Sequence, residues 1–207
     1  QKKFNLLIPQ QLLSNNPKSC FNWYSPQDTQ YDKGELLSIK NMILMTLAQA
    51  PTNNVYIVGV SAGGAMTSAL LVNYPELFSA GAVIAGIPFP CASDLIQAIS
   101  CMKNGPSESA SILAEKAVQL QKSADDTSTI KWPRLSVWTG NNDSIVNPKN
   151  AINLAQQWAL LKGINKAPLV IEENGYRLTQ WQNTNQPFVE LVELNNLEHG
   201  VAVNPTI

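Results

Sequence analysis

One stretch limits what this chain can fold into more than any other: Asn54-Val55-Tyr56-Ile57-Val58-Gly59-Val60-Ser61-Ala62-Gly63-Gly64-Ala65-Met66. The β-branched, apolar run from Val55 to Val60 reads as a buried strand of a parallel sheet. It stops at Gly59-Val60-Ser61-Ala62-Gly63, which fits G-x-S-x-G, and Ala65, Met66, Ala69, Leu70 and Leu71 then supply the apolar positions of a helix. Strand, sharp turn and helix are the context in which that pattern presents a nucleophilic serine. Ser61 is expected in a strained turn with its hydroxyl above the sheet edge, and the flanking glycines remove Cβ atoms that would crowd it. The helix behind it aims its N-terminal amides and positive dipole end at charge forming near Ser61. The plainer alternative is an ordinary strand-to-helix turn that happens to contain a serine.

A chain of 207 residues, 44% hydrophobic and 14% charged, is long enough for one domain with a full core. A net charge of −1 gives no electrostatic case for nucleic acid or an anionic membrane as partner. No apolar run approaches the length of a membrane span. Low charge and many Asn and Gln residues suit a secreted or periplasmic protein. Of three cysteines, Cys91 and Cys101 can pair if the chain doubles back between them, since a straight helix would hold them about 15 Å apart. Cys20 is left over, as a free thiol or with a partner outside this chain. The spacing matches no zinc pattern, and the single histidine cannot complete a Cys/His site, so no metal and no cofactor are expected.

Along the chain, Phe4 to Ile8 reads as a short strand stopped by Pro9. Residues Gln10 to Lys33 are polar and irregular, with an aromatic knot at Cys20-Phe21-Asn22-Trp23-Tyr24. Aromatics in a loop either plug it onto the body or line a pocket. Leu36, Ile39, Ile43 and Leu47 recur at helical spacing. After the nucleophile strand and helix, Gly81 to Gly86 is a second buried strand. An excursion from about 88 to 132 follows, with helices expected at Asp94–Met102 and Ala110–Lys122, placed where it could cover a substrate cleft. Leu135–Gly140 is a third strand, Pro148 opens a helix reaching about Leu161, and Leu169–Glu172, Tyr176–Trp181 and Phe188–Leu194 are strand-like. Strands alternating with helices predict a single α/β domain over 1–207, a mostly parallel sheet with helices on both faces.

A serine hydroxyl needs a base, and His199 is the only imidazole available. It lies in a loop just after a strand, where it can reach over the sheet edge. An acid must then hold the imidazole tautomer and stabilise its charged form. Asp143 follows the third strand; Asp125 and Asp126 lie in a polar loop without a strand-end position. Singly, a loop histidine is often a surface residue and an aspartate after a strand is often a turn former. Together, the order Ser61, Asp143, His199 at three strand ends is that of the α/β hydrolases.

The text resembles the polyhydroxybutyrate depolymerase family of esterases, whose relatives include feruloyl and acetylxylan esterases. The resemblance rests on Cys20-Phe21-Asn22-Trp23-Tyr24, Gly34-Glu35, Val58 to Met66, Tyr74-Pro75, Ala85-Gly86-Ile87-Pro88 and Trp132-Pro133-Arg134. Gly140 with Asp143, Val146-Asn147-Pro148 and Asn150 is similar to the family's acid segment, and Glu198-His199-Gly200 to its base segment. It implies an α/β-hydrolase fold and a serine esterase with Ser61 as nucleophile, His199 as base and Asp143 as acid. The substrate would be a hydroxyalkanoate polyester or oligomer, or a feruloyl or acetyl ester on polysaccharide. Trp23 and Tyr24 are candidates for substrate contact, and Cys91 and Cys101 for a disulfide.

Ala62, after the nucleophile, offers a backbone amide as one oxyanion donor. Relatives carry a His-Gly-Cys-like loop on earlier strands, and nothing like it stands before Phe4. The second donor, the partner of Cys20 and the N-terminal strands are therefore expected upstream, or on a second polypeptide, and the chain is expected to be a fragment. Two rival readings differ in class: a non-catalytic binding protein that keeps the hydrolase fold, and a serine peptidase or amidase of the same fold.

Overall fold

The computed structural model describes residues 4–122, 130–183 and 188–203. Its centre is a six-stranded sheet of β1 (Tyr56–Val60), β2 (Ala80–Ile84), β3 (Arg134–Gly140), β4 (Leu169–Glu173), β5 (Tyr176–Trp181) and β6 (Val189–Leu194), in the order β1-β2-β3-β6-β5-β4. The pairs β1·β2, β2·β3 and β3·β6 are parallel, each returning through a crossover that contains helix. The pairs β6·β5 and β5·β4 are antiparallel. Asn174-Gly175 turns the β4–β5 hairpin, with Gly175 at φ +106°, a conformation that glycine adopts without a Cβ penalty.

The helices are α1 (Pro26–Thr29), α2 (Gly34–Gln49), α3 (Ala62–Asn73), α4 (Leu95–Asn104), α5 (Ala110–Lys122) and α6 (Lys149–Leu161). The periodic positions Leu36, Ile39 and Ile43 of α2 are buried, and Leu47 packs beside them. They meet Leu70 and Leu71 of α3 in one core with Val83, Val137, Val189 and Leu191 of the sheet and Leu154, Ala155 and Trp158 of α6. Each fully buried aliphatic side chain there contributes about 1.5–3 kcal/mol of burial. Trp158, wholly buried, donates its indole N–H to the Pro133 carbonyl at 2.9 Å, so its one polar atom is satisfied where β3 begins.

Two expectations meet a different outcome. Phe4 to Ile8 is irregular rather than a strand, and Phe4 and Ile8 are 76% and 75% exposed. No described strand runs beside it, and without a ladder partner an extended run has no place for its backbone hydrogen bonds. Helices also cover one face of the sheet rather than two among the described residues. Gly81, Val83, Leu135 and Val137 face α3 and α6, whereas Tyr56 and Val58, on the opposite face, are 63% and 65% exposed.

The excursion after β2 divides in two. Its second helix, α5, joins the core against α6 and α3, with Leu113 and Ala117 wholly buried. Its first part doubles back at Asp94, whose carboxylate accepts from the Gln97 amide at 2.8 Å and caps α4. That reversal places Cys91 beside Cys101 in a disulfide, with their Cα atoms 6.5 Å apart. Cys20 is a free, exposed thiol.

Candidate active site

Ser61 sits between the end of β1 and the first residue of α3 with φ +53° and ψ −120°, a backbone region that costs a non-glycine residue about 1–3 kcal/mol. Two backbone bonds over-determine it: the Ser61 amide donates to the Ile84 carbonyl at 2.9 Å, and its carbonyl accepts from the Ala65 amide at 2.9 Å. The glycines around it are not equivalent. A Cβ on Gly59 would meet the Gly63 carbonyl oxygen at 2.1 Å and Thr67 Oγ1 at 2.4 Å, so α3 can rise so close to β1 only if residue 59 lacks one. Gly63, the last residue of the G-x-S-x-G pattern, has no atom within 4 Å of such a Cβ, whereas Gly64 abuts the Gly86 Cα at 3.1 Å. The crowding that was expected on both sides of Ser61 therefore lies at Gly59 and Gly64.

Asp143 follows β3 in the loop that leads to α6, and it is buried. Its Oδ1 accepts from the amides of Ile145 and Val146, both at 2.9 Å, which closes the loop around the carboxylate. Its Oδ2 lies 2.8 Å from His199 Nδ1, and His199 Nε2 lies 2.9 Å from Ser61 Oγ. With the carboxylate as acceptor, Nδ1 carries the proton and Nε2 is left free to accept from the serine hydroxyl. The Asp143 carboxyl is fully covered while the imidazole stays 22% exposed.

The histidine loop is tied to the aspartate loop by backbone. Asn141 donates its amide to the Leu194 carbonyl at 2.9 Å, and Asn142 donates to Leu197 at 3.1 Å. Asn141 Nδ2 adds a bond to Asn195 Oδ1 at 3.1 Å. Asn196 takes φ +59°, a conformation that asparagine tolerates better than most residues.

Trp23 is half-buried and packs against a small buried cluster of Ala65, one turn into α3, Ile87, Cys101 and Val146, three residues after Asp143. Tyr24 meets it edge-on at 5.6 Å. The knot thus fastens its loop to the body of the domain. Asp125 and Asp126, the weaker acid candidates, lie outside the described residues. No group of three His, Cys, Asp or Glu side chains among the described residues could hold a metal ion. An apolar pocket of about 200 Å³ lies under the histidine loop, lined by Ile84, Trp138, Leu194, Leu197, Gly200 and Val201. Nothing in the residue pattern announced it, because its walls come from strand ends far apart in sequence.

Comparison with known proteins identifies a family. Residues 1–175 match the family model described as esterase PHB depolymerase, a match that ends before His199. The chain is 31% identical over 98% of its length to poly(3-hydroxyalkanoate) depolymerase C of Paucimonas lemoignei, of which it covers 49%. It is 30% identical over 71% of its length to feruloyl esterase B of Talaromyces stipitatus, of which it covers 42%. The chain thus spans about half the length of these curated relatives or less. Among solved structures, acetyl xylan esterase from Aspergillus awamori superposes with a TM-score of 0.78 at 22% identity, over 89% of this chain and 69% of that one, a likeness of fold. The six-stranded, mostly parallel sheet with its crossover helices is that of an α/β hydrolase, and the chain belongs to the esterase PHB depolymerase family.

Proposed function

We propose that this chain is the catalytic domain of a serine carboxylic-ester hydrolase, with Ser61 as nucleophile, His199 as general base and acid, and Asp143 as the residue that orients the imidazole. One observation carries the reading: the hydrogen-bonded line from Asp143 Oδ2 through His199 to Ser61 Oγ, at 2.8 and 2.9 Å. As Ser61 Oγ bonds to the ester carbonyl carbon, its proton passes to His199 Nε2 and the carbonyl electron pair moves onto oxygen. The Ala62 amide, at the head of α3, is the candidate donor to that oxygen, with the helix's positive end behind it. Collapse breaks the bond to the alcohol, which leaves with the proton from Nε2. Water then attacks the acyl-enzyme, giving its proton to His199, and the acid departs as Ser61 recovers its hydrogen. No step needs a metal or an organic cofactor.

The relatives' names point to two kinds of ester, poly(3-hydroxyalkanoate) on one side and feruloyl or acetylxylan esters on the other. A polyester oligomer or a polysaccharide ester of these kinds is the substrate class we assign, with Trp23 and Tyr24 in contact with it. The Cys91–Cys101 disulfide suits an oxidising location, outside the cell or in a periplasm. The test is labelling with a fluorophosphonate probe, followed by turnover of p-nitrophenyl butyrate, hydroxybutyrate oligomers, feruloyl esters and acetylated xylan. Labelling should vanish in Ser61→Ala, and turnover should fall by several orders of magnitude in His199→Ala, which leaves no second imidazole. A probe-inert wild type would sink the reading and favour a non-catalytic binding role. Peptide amides, assayed beside the esters, separate an amidase from an esterase.

A further inference from the structure

Glu35 is buried in the first turn of α2, yet among the described residues no cation pairs with it. Its carboxylate oxygens instead receive donors from a different part of the chain. Oε2 accepts from the Asn22 backbone amide at 2.8 Å, and Oε1 accepts from Asn22 Nδ2 at 2.9 Å and from Gln11 Nε2. All three partners are N–H donors, so the pocket is built for an acceptor-only, ionised carboxylate. Burial pushes the Glu35 carboxyl above its ordinary range while the Asn22 amide pulls the other way. A desolvated charge without a counter-ion costs several kcal/mol, and helix formation alone does not require one here. It does not serve as a cap, since its bonds run to residues 11 and 22 rather than to free amides of its own helix.

What those bonds fix is the residue before Trp23. Gln11 also donates to the Cys20 carbonyl at 3.2 Å, and Asn16 Nδ2 donates to Asn22 Oδ1 at 2.9 Å, so the 11–22 loop is drawn around this one carboxylate. The next side chain, Trp23, packs against the small buried cluster of Ala65, Ile87, Cys101 and Val146, whose members come from the nucleophile helix and the segment after the acid among others. We propose that Glu35 is a positioning residue for specificity: by clamping Asn22 it holds the Trp23 ring as a fixed wall between the nucleophile helix and the Asp143 loop. The inference rests on the hydrolase reading above. Glu35 touches no reacting atom, so its effect falls on how an ester is seated and not on proton transfer.

Glu35→Gln preserves size but turns an amide N–H toward donors. It should raise KM for a bulky ester about tenfold, the scale of one lost charge-assisted hydrogen bond, with kcat changed far less. In a Trp23→Ala background the same substitution should leave KM unmoved, because the wall it positions is gone. A residue that merely supports the fold would give the same loss in both backgrounds, and that additivity would overturn the proposal, as would an unchanged KM in the single variant. The Trp23 indole N–H resonance, assigned with Trp23→Phe, supplies a readout that needs no turnover. It should shift and broaden in Glu35→Gln while the thermal midpoint stays within a few degrees, and an unmoved resonance overturns the clamp. A wild type that hydrolyses no ester overturns the hydrolase reading instead, with the resonance still deciding the clamp.

Discussion

Gly140 lies directly beneath the backbone that carries His199: a Cβ at position 140 would meet the Leu197 carbonyl oxygen at 2.1 Å and the Glu198 carbonyl oxygen at 2.9 Å. Both contacts are to backbone, which cannot rotate away as a side chain would. Gly140→Ala must therefore lift the histidine loop or bend the end of β3. Asp143 is three residues further along, and its amide donates to the Gly140 carbonyl at 3.2 Å, so either movement separates His199 from its partners. On the hydrolase reading, a misplacement of about 1 Å costs about 10²-fold in kcat. Gly200→Ala, next to His199 on the other side, meets no atom within 4 Å and should leave turnover near wild type. Steady-state assays of both variants check the contrast.

Asp143→Asn should fold normally and lose turnover, because of how its two oxygens are used. The amide oxygen can take the place of Oδ1, which accepts from Ile145 and Val146, so the loop keeps both bonds. The amide NH2 then faces His199 Nδ1, where Oδ2 accepted before. That forces Nδ1 to be the acceptor and puts the proton on Nε2, opposite Ser61 Oγ, where no base remains. A drop of about 10⁴-fold in kcat with an unchanged thermal midpoint is expected. Near-normal turnover would remove Asp143 from the mechanism.

Much of the fold was legible because it is written at short range. The G-x-S-x-G turn, the spacing of Leu36, Ile39 and Ile43, and the apolar runs ending at Gly86 and Gly140 all report local periodicity. The candidate triad was legible for a related reason, since each member follows a strand and strand ends converge on one edge of a parallel sheet. What stayed hidden depends on partners far away in sequence. Phe4 to Ile8 has the composition of a strand but no neighbour to pair with, and pairing is not a local property. Gly63 and Gly64 look equivalent in the text; the approach of Gly86 and the Ile84 carbonyl from the next strand's end, and of the Gly59 carbonyl, makes the second one tight. Glu35 and Asn150 stood within the family resemblance without a role, because a buried carboxylate or amide acquires one from the groups folded around it.

Tyr74 predicts how stability depends on alkaline pH. Its side chain is wholly buried, its hydroxyl donates to Asp32 Oδ1 at 3.1 Å, and it accepts from the Asp32 amide at 2.8 Å. Burial first, and then the neighbouring Asp32 carboxylate, hold the phenol's pKa above its ordinary range. The native state thus keeps a proton that the unfolded chain releases above about pH 10, so stability falls as pH rises past that point. Tyr74→Phe loses the hydrogen bonds, at about 1 kcal/mol near neutrality, but has no proton to lose. Urea midpoints of the two proteins, compared from pH 8 to pH 11, should therefore converge at the alkaline end. A constant gap across that range would contradict the linkage.

The last prediction concerns the brace between α4 and the loop that holds Asp143. The final turn of a helix leaves its carbonyls without intrahelical partners. In α4 the acid loop reaches them: the Asn147 amide donates to Met102 at 2.8 Å and Asn147 Nδ2 to Lys103 at 3.1 Å, while Asn150 Nδ2 donates at 2.9 Å to the Cys101 carbonyl, which also accepts from the Gly105 amide. Lys103 Nζ returns a bond to the Ser144 carbonyl at 3.0 Å, one residue from Asp143. Asn150 is wholly buried and its side chain also reaches the Asn147 carbonyl at 3.1 Å; each of these carbonyls keeps a backbone donor, so Asn150→Ala loses the side-chain bonds, at about 1 kcal/mol each, without stranding an acceptor. Replacing Cys91 and Cys101 together by serine acts on the other side of the same brace, removing a short cross-link that contributes about 2–3 kcal/mol. The two changes should separate in their effects. Loss of the disulfide should lower the thermal midpoint by about 5–10 °C while kcat stays within a few-fold, because the Asn147 and Asn150 bonds still fix the acid loop. Asn150→Ala should lower kcat more than the cysteine pair does for a similar loss of midpoint, because it frees the backbone from which Asp143 is held. Equal losses of kcat at matched stability would mean that the brace supports the fold alone and does not orient Asp143.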